Sequence, residues 1–235
     1  MVDSKTITTI TKYCIDNLDF ENSGIGWEYY YASMPLCVVD SVFSIGVLYE
    51  GVTNVINRIS KHYKIETRAK RKHTLPEIKY QISTSEFLRL LESTPITLLA
   101  SDVFKNRQRT STKNGILKVE AVIKFLKVLK DFNVEYFQDI AKIITNESFD
   151  FCIKNIPGQK SGISMKYFFM LAGSKNLIKP DRMVIRFLQN ASGKKFNLED
   201  CQTVLTAVTL QLNEKNFKVT PQLVDNAIWN YQRNL

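Results

Sequence analysis

Two features within residues 148–188 could do chemistry. The first is the run Ile156-Pro157-Gly158-Gln159-Lys160-Ser161-Gly162, set between two apolar helix-forming stretches. Gly158 and Gly162 let the backbone turn sharply and approach another segment closely. Amides at the start of the following helix would point outward and cradle a phosphate. Lys160, Ser161 and Lys166 would add donors and charge there. The same residues also fit an ordinary helix–helix turn with a C-cap glycine. The second feature is Asp181, after Lys179-Pro180 and at the start of another helix. An ionised carboxylate is favoured at a helix N-terminus. It can stabilise developing positive charge or orient a water, and it can equally be a plain N-cap.

Around these lie two basic stretches and one aromatic cluster. Residues 105–130 carry Lys105, Arg107, Arg109, Lys113, Lys118, Lys124, Lys127 and Lys130 against one acid, Glu120. They read as a polyanion-binding face or as a solvated basic one. Residues 61–72 are also basic, and such connectors are often charged without being specific. The run Trp27-Glu28-Tyr29-Tyr30-Tyr31 offers rings that can stack on a base and a carboxylate that can meet its edge; the alternative is that the rings are core. Cys14, Cys37, Cys152 and Cys201 are far apart in sequence, and only His62 and His73 occur. No metal-ligand, iron–sulfur or His-based triad spacing results, so neither metal nor cofactor is expected and the thiols read as reduced and mostly buried.

The elements that must position these groups are helices. Periodic apolar residues predict helices over 5–18, 36–60, 84–92, 115–131, 134–145, 148–155, 163–172, 182–190, 198–212 and 220–233. Ser83 with Glu86, Thr94-Pro95, Asn197 and Thr220-Pro221 are start signals. Gly46 and Gly51 lie inside the second of these and predict a bend. No strand, repeat or low-complexity tract is found, and the fold class is all-α.

Composition agrees with a folded chain. It has 235 residues, 44% hydrophobic and 23% charged, with only 9 Gly and 6 Pro, too few for a turn-rich β-protein. A net charge of +9 favours a polyanionic partner. The N-terminus lacks a basic region followed by an apolar run, and no eighteen-residue apolar run occurs. The expectation is therefore a cytoplasmic protein, nucleoid-associated if its source is bacterial, with no membrane partner.

The segment from Ser148 to Leu188 resembles the helix-hairpin-helix-GPD superfamily of DNA glycosylases, which includes endonuclease III and the adenine and oxoguanine glycosylases. That family has Leu-Pro-Gly-x-Gly at the hairpin, an apolar helix and then a catalytic aspartate. Ile156-Pro157-Gly158 matches the start, 163–172 the helix, and Asp181 falls in register without a gap. Arg186 stands in the helix that continues the family pattern. Lys160 replaces the second hairpin glycine, with Gly162 two residues on. Gly162 also occupies the place of the lysine used by bifunctional members, so the resemblance implies a monofunctional enzyme or an inactive relative.

The resemblance implies two helical subdomains flanking a cleft. One would hold the hairpin, at about 95–172; the other would combine about 1–94 with 173–235. It implies double-stranded DNA as partner, base excision repair as the process and Asp181 as the catalytic residue. Gly158, Lys160, Ser161, Gly162, Lys166, Arg107, Arg109 and Lys113 would contact DNA. Trp27, Glu28, Tyr30, Leu48 and Tyr49 would form the base pocket or wedge. A non-catalytic helix-hairpin-helix DNA-binding or interaction protein is the alternative.

Overall fold

Apolar residues at helical spacing fold this chain into helices. The computed structural model describes residues 2–20, 24–47, 49–72 and 74–234. Among them there is no strand, only isolated bridge pairs at Tyr31–Arg68 and Arg109–Leu117. Two compact units result, 27–173 and 1–26 with 174–235.

The larger unit is built around α2 (Met34–Phe43), whose ten residues are all buried. Eight of its ten residues are apolar and must be covered, and its two polar side chains are hydrogen-bonded, Asp40 accepting the Tyr31 hydroxyl and Ser41 donating to Val38 O. It packs on α6 (Lys118–Asp131) and α8 (Ile163–Leu171), and α4 (Thr84–Glu92) packs on α6. Rings of Phe125, Phe149, Phe168 and Phe169 meet in this core at centroid distances of 5.1–6.3 Å. The remaining helices are α3 (Tyr49–Tyr63), the short α5 (Ile96–Leu98), which runs on into a π turn, and α7 (Glu147–Lys154). Ser83 caps α4 by accepting the Glu86 N–H at 3.1 Å.

The smaller unit joins both ends of the chain. Helix α1 (Ser4–Asn17) packs on α9 (Arg182–Ser192) and α10 (Leu198–Glu214), and α11 (Pro221–Arg233) packs on both of those. Ile10, Phe187, Leu188, Val204, Leu205 and Ile228 lie at its centre. Asn197 and Thr220 cap α10 and α11 through their side chains.

Four expectations change. The helix expected over 134–145 is a 3₁₀ segment, Phe137–Lys142. The helical region over 36–60 is two helices, α2 and α3, and α2 ends in a turn over 44–46, where Gly46 has φ 72° at the place the bend was expected. The helix expected from Gly115 starts at Lys118, because Thr110 N–H bonds Ile116 O and Lys118 N–H bonds Gln108 O, pairing the flanks of a loop. The expected division put 1–94 with the C-terminal segment. Only 1–26 lies there; residues 27–94 belong to the larger unit, where the wholly buried α2 packs against α6 and α8.

Candidate functional site

Two turns placed end to end make the hairpin. Gln159 N–H donates to Ile156 O at 2.9 Å, and Gly162 N–H donates to Gln159 O at 2.9 Å. Gly158 and Gly162 have φ of 85° and 70°. The inward polar side chains, Gln159 and Ser164, are buried and hydrogen-bonded to each other. Lys160 and Ser161 are exposed. Lys166 N–H to Gly162 O is the bond that opens α8, so the amides of Ile163, Ser164 and Met165 precede its ladder, as at any helix start. Gly162 is buried and the Lys166 side chain is half-buried, so the charge the hairpin offers outward is chiefly that of Lys160.

The basic loop lies against this hairpin. A Cβ on Gly158 would stand 2.4 Å from both Cβ and Oγ1 of Thr110, so only glycine lets the two segments come so close. Residues 48 positions apart in sequence are thereby joined, and the exposed Arg107, Arg109 and Lys113 share the region with Lys160 and Ser161. Arg109 braces its own loop, donating from Nη1 to Gly115 O at 2.5 Å. The Thr110 hydroxyl is buried and makes no hydrogen bond among the described residues.

Lys118 departs from the expected basic face. It is buried, and its ammonium donates to Phe43 O at 2.9 Å and Ile45 O at 2.8 Å. Those carbonyls lie at and just past the end of α2, where acceptors lack helical partners and a cation is favoured. Further along α6, Lys124 and Lys127 are exposed and paired with Glu120 and Glu92.

In the smaller unit Asp181 is the N-cap of α9. Its Oδ1 accepts Met183 N–H at 2.8 Å and Val184 N–H at 3.4 Å. Both cap bonds use one oxygen of a half-buried carboxylate. Asp225 of α11 is a second acid in this neighbourhood. Its Oδ1 accepts Lys179 N–H at 3.2 Å. Burial pushes the Asp225 carboxyl well above the usual carboxylate range, the Asp181 charge pushes it the same way, and Lys179 opposes both. The pair therefore consists of a half-buried helix cap, Asp181, and a buried acid, Asp225. Arg186 is held by Gln232, through the side-chain oxygen and the backbone carbonyl.

The aromatic run divides. Tyr31 is core, 2% exposed, with its hydroxyl donating to Asp40 at 2.7 Å and the Arg68 guanidinium 4.3 Å from its ring centre. Trp27 is 47% exposed and Tyr30 half-buried, edge to face at 6.2 Å, with Lys72 5.2 Å from the Trp27 ring. Leu48 lies outside the described residues, as do the side chains of Glu28 and Tyr49.

Among the described residues no three His, Cys, Asp or Glu side chains gather into a metal-binding group, and no helix is long and apolar enough to cross a membrane. Cys14, Cys37 and Cys201 are buried free thiols and Cys152 is half-buried; burial pushes the Cys14 thiol up to about 12. Reading the sequence missed Thr110 and Asp225. A threonine in a polar loop and an acid inside an amphipathic helix carry no local signal; only the tertiary contact marks them. No curated protein and no solved structure matches the chain. A family model described as a domain of unknown function, DUF8548, matches residues 8–233, which is nearly the whole chain, and the protein belongs to that family.

Proposed function

We propose that this protein is a DNA glycosylase of the helix-hairpin-helix type, hydrolysing the N-glycosidic bond of a damaged or modified base in double-stranded DNA. The observation that carries the reading is the close approach of Gly158 to Thr110. It adds the cations of the 105–114 loop to a glycine turn that opens a helix, and phosphate binding draws on cations and helix starts together. Asp181 supplies the reacting unit with a carboxylate. Cleavage of the glycosidic bond builds positive charge on the sugar, which such a group stabilises while orienting the attacking water. The two cap bonds to Oδ1 hold the group in place and leave Oδ2 outside the cap. Gly162 has no side-chain amine, so the hairpin supplies no Schiff-base nucleophile at that place, and the reaction is simple hydrolysis.

The test is base release from a panel of lesion-containing duplexes by the natural protein and Asp181→Asn. The variant keeps size and capping ability and loses the charge. Single-turnover excision should fall by about 10²–10⁴, or about 3–5 kcal/mol of transition-state stabilisation, with duplex affinity unchanged. Equal rates remove Asp181 from the mechanism. The cap bonds alone also account for Asp181, and this favours a second reading, a non-catalytic duplex binder. Release of no base by either protein, with salt-dependent duplex binding intact, selects it.

A further inference from the structure

Residues 66–72 and 74–80 do not behave as a solvated connector. They fold back so that Ala32 N–H bonds Thr67 O at 3.1 Å and Ala69 N–H bonds Tyr30 O at 2.9 Å. The segment ends in a single 3₁₀ turn, Ile78–Tyr80. Its rim is clamped at Pro76, whose carbonyl accepts the side-chain amides of Gln81 at 2.7 Å and Gln138 at 2.8 Å. Between these anchors lies a cavity of about 280 Å³, close to the lower limit of about 300 Å³ for small-ligand pockets.

Its lining combines three kinds of group. Ala32, Ala69, Leu75 and Pro76 supply apolar wall, and Tyr80 supplies a ring that is 52% exposed. Lys70 and Lys79 stand 4.6 and 4.9 Å from that ring's centre. Arg68, Lys70 and Arg71 give positive charge and Glu66 supplies an acceptor, while Glu77 is paired with Lys79 at 2.8 Å. A plain polyanion has no donor for the Glu66 carboxylate, and a divalent cation is repelled by the three basic groups. A nucleotide has an anionic phosphate, a flat face and base N–H donors in one molecule, and each finds its complement here.

We propose that this pocket binds one unpaired nucleotide, with its base against Tyr80 and its phosphate at Lys70 and Arg71. The inference goes beyond duplex binding and excision and stands independently of them. The ligand could be a free nucleoside monophosphate or one nucleotide of a single strand, and the test separates these sources.

The probes are dTMP, a fluorescein-labelled oligothymidylate of ten residues and a duplex, each titrated against the full chain. Tyr80→Ala should lower single-strand affinity about tenfold or more, since base stacking on an aromatic ring is worth that much. Duplex affinity should stay within about twofold. The double variant Lys70→Glu, Arg71→Glu should do the same, whereas Lys160→Glu should weaken the duplex and spare the single strand. Tyr80→Trp should retain binding and give indole fluorescence that the stacked base quenches. Quenching by dTMP identifies the free nucleotide as sufficient; quenching by the oligonucleotide alone identifies the strand. Unchanged single-strand affinity in both pocket variants overturns the proposal. So does a poly-glutamate peptide that competes as well as the oligonucleotide. Loss of duplex binding in Lys160→Glu with single-strand binding kept shows two separate sites, whereas equal loss of duplex and single-strand binding in the pocket variants makes the pocket part of the duplex site and overturns the proposal.

Discussion

The hairpin of the larger unit and the carboxyl pair of the smaller one handle charge in opposite ways. At the hairpin the uncharged polar side chains, Gln159 and Ser164, are buried and satisfy each other, while Lys160 and the loop cations Arg107, Arg109 and Lys113 stay in water. Cations kept hydrated cost little to hold and attract a polyanion over a Debye length of about 10 Å. At the carboxyl pair Asp225 is buried, and its carboxyl is pushed up by that burial and by the Asp181 charge, while Asp181 spends one oxygen on the first amides of α9. The first arrangement leaves its charge in water; the second takes one of its acids out of it.

Backbone closeness separates the two regions most sharply. Gly158 and Gly193 share positive φ, 85° and 70°, which costs an L-residue about 1 kcal/mol or more. Gly158 also faces Thr110 at 2.4 Å, whereas nothing lies within 4 Å of the place a Cβ would take on Gly193. Gly158→Ala should therefore destabilise by about 2–4 kcal/mol, the strain and overpacking acting together. Gly193→Ala should cost about 1 kcal/mol. Urea unfolding of both measures the difference, and equal losses would mean that the hairpin and the basic loop are not in contact.

Next in size is a contrast within α6. Lys118→Met should cost about 2–3 kcal/mol, because it strands the carbonyls of Phe43 and Ile45 in the interior. Lys124→Met, which loses only an exposed pair with Glu120 at 3.8 Å, should cost no more than about 0.5 kcal/mol. On duplex DNA the order should reverse, with only the exposed lysine reducing affinity and the salt slope.

The carboxyl pair predicts a pH effect with a definite sign. Asp225 binds its proton more tightly folded than unfolded. Between the usual carboxylate pKa of about 4 and the raised folded value, the native state holds more protons. Its stability must then fall as pH rises through that window. Asp225→Asn removes the titration, so the two proteins should be similar near pH 4 and the variant the more stable near pH 8. Parallel stability curves would show that Asp225 is ionised in the fold.

The sequence made the hairpin and Asp181 legible for a physical reason. Turns and caps are local, so Pro157-Gly158, Gly162 and the Lys179-Pro180-Asp181 start signal declare themselves within a few residues. Helix existence was nearly as readable, since periodicity is local too, although the stretch expected as a helix over 134–145 forms only a 3₁₀ segment, Phe137–Lys142. Lys118 was misread because nothing in α6 shows that a carbonyl pair 73 and 75 residues upstream needs a donor. In the basic run at 61–72, Lys70 lies 4.6 Å from the Tyr80 ring centre, and the neighbouring Gln81 bonds Gln138; no periodicity reveals either contact. Thr110 and Asp225 matter only through partners far along the chain.

The smallest predicted effect tests the hairpin contact from its other side. Thr110 Oγ1 is buried without a hydrogen bond among the described residues, and an unsatisfied buried hydroxyl carries a desolvation cost of about 1–3 kcal/mol. Valine has nearly the same shape, so Thr110→Val keeps the packing against Gly158 and removes that cost. The variant should be as stable as the natural protein or more stable by up to about 1 kcal/mol, a gain of a few degrees in Tm at most. A loss above about 1 kcal/mol would mean that the hydroxyl has a partner, such as an ordered water bridging the loop to the hairpin. Duplex affinity then decides what that partner is for. If Thr110→Val binds DNA as well as the natural protein, the hydroxyl serves only the fold. If it binds several-fold more weakly while remaining as stable, the Thr110 hydroxyl is exposed on binding and belongs to the phosphate contact itself.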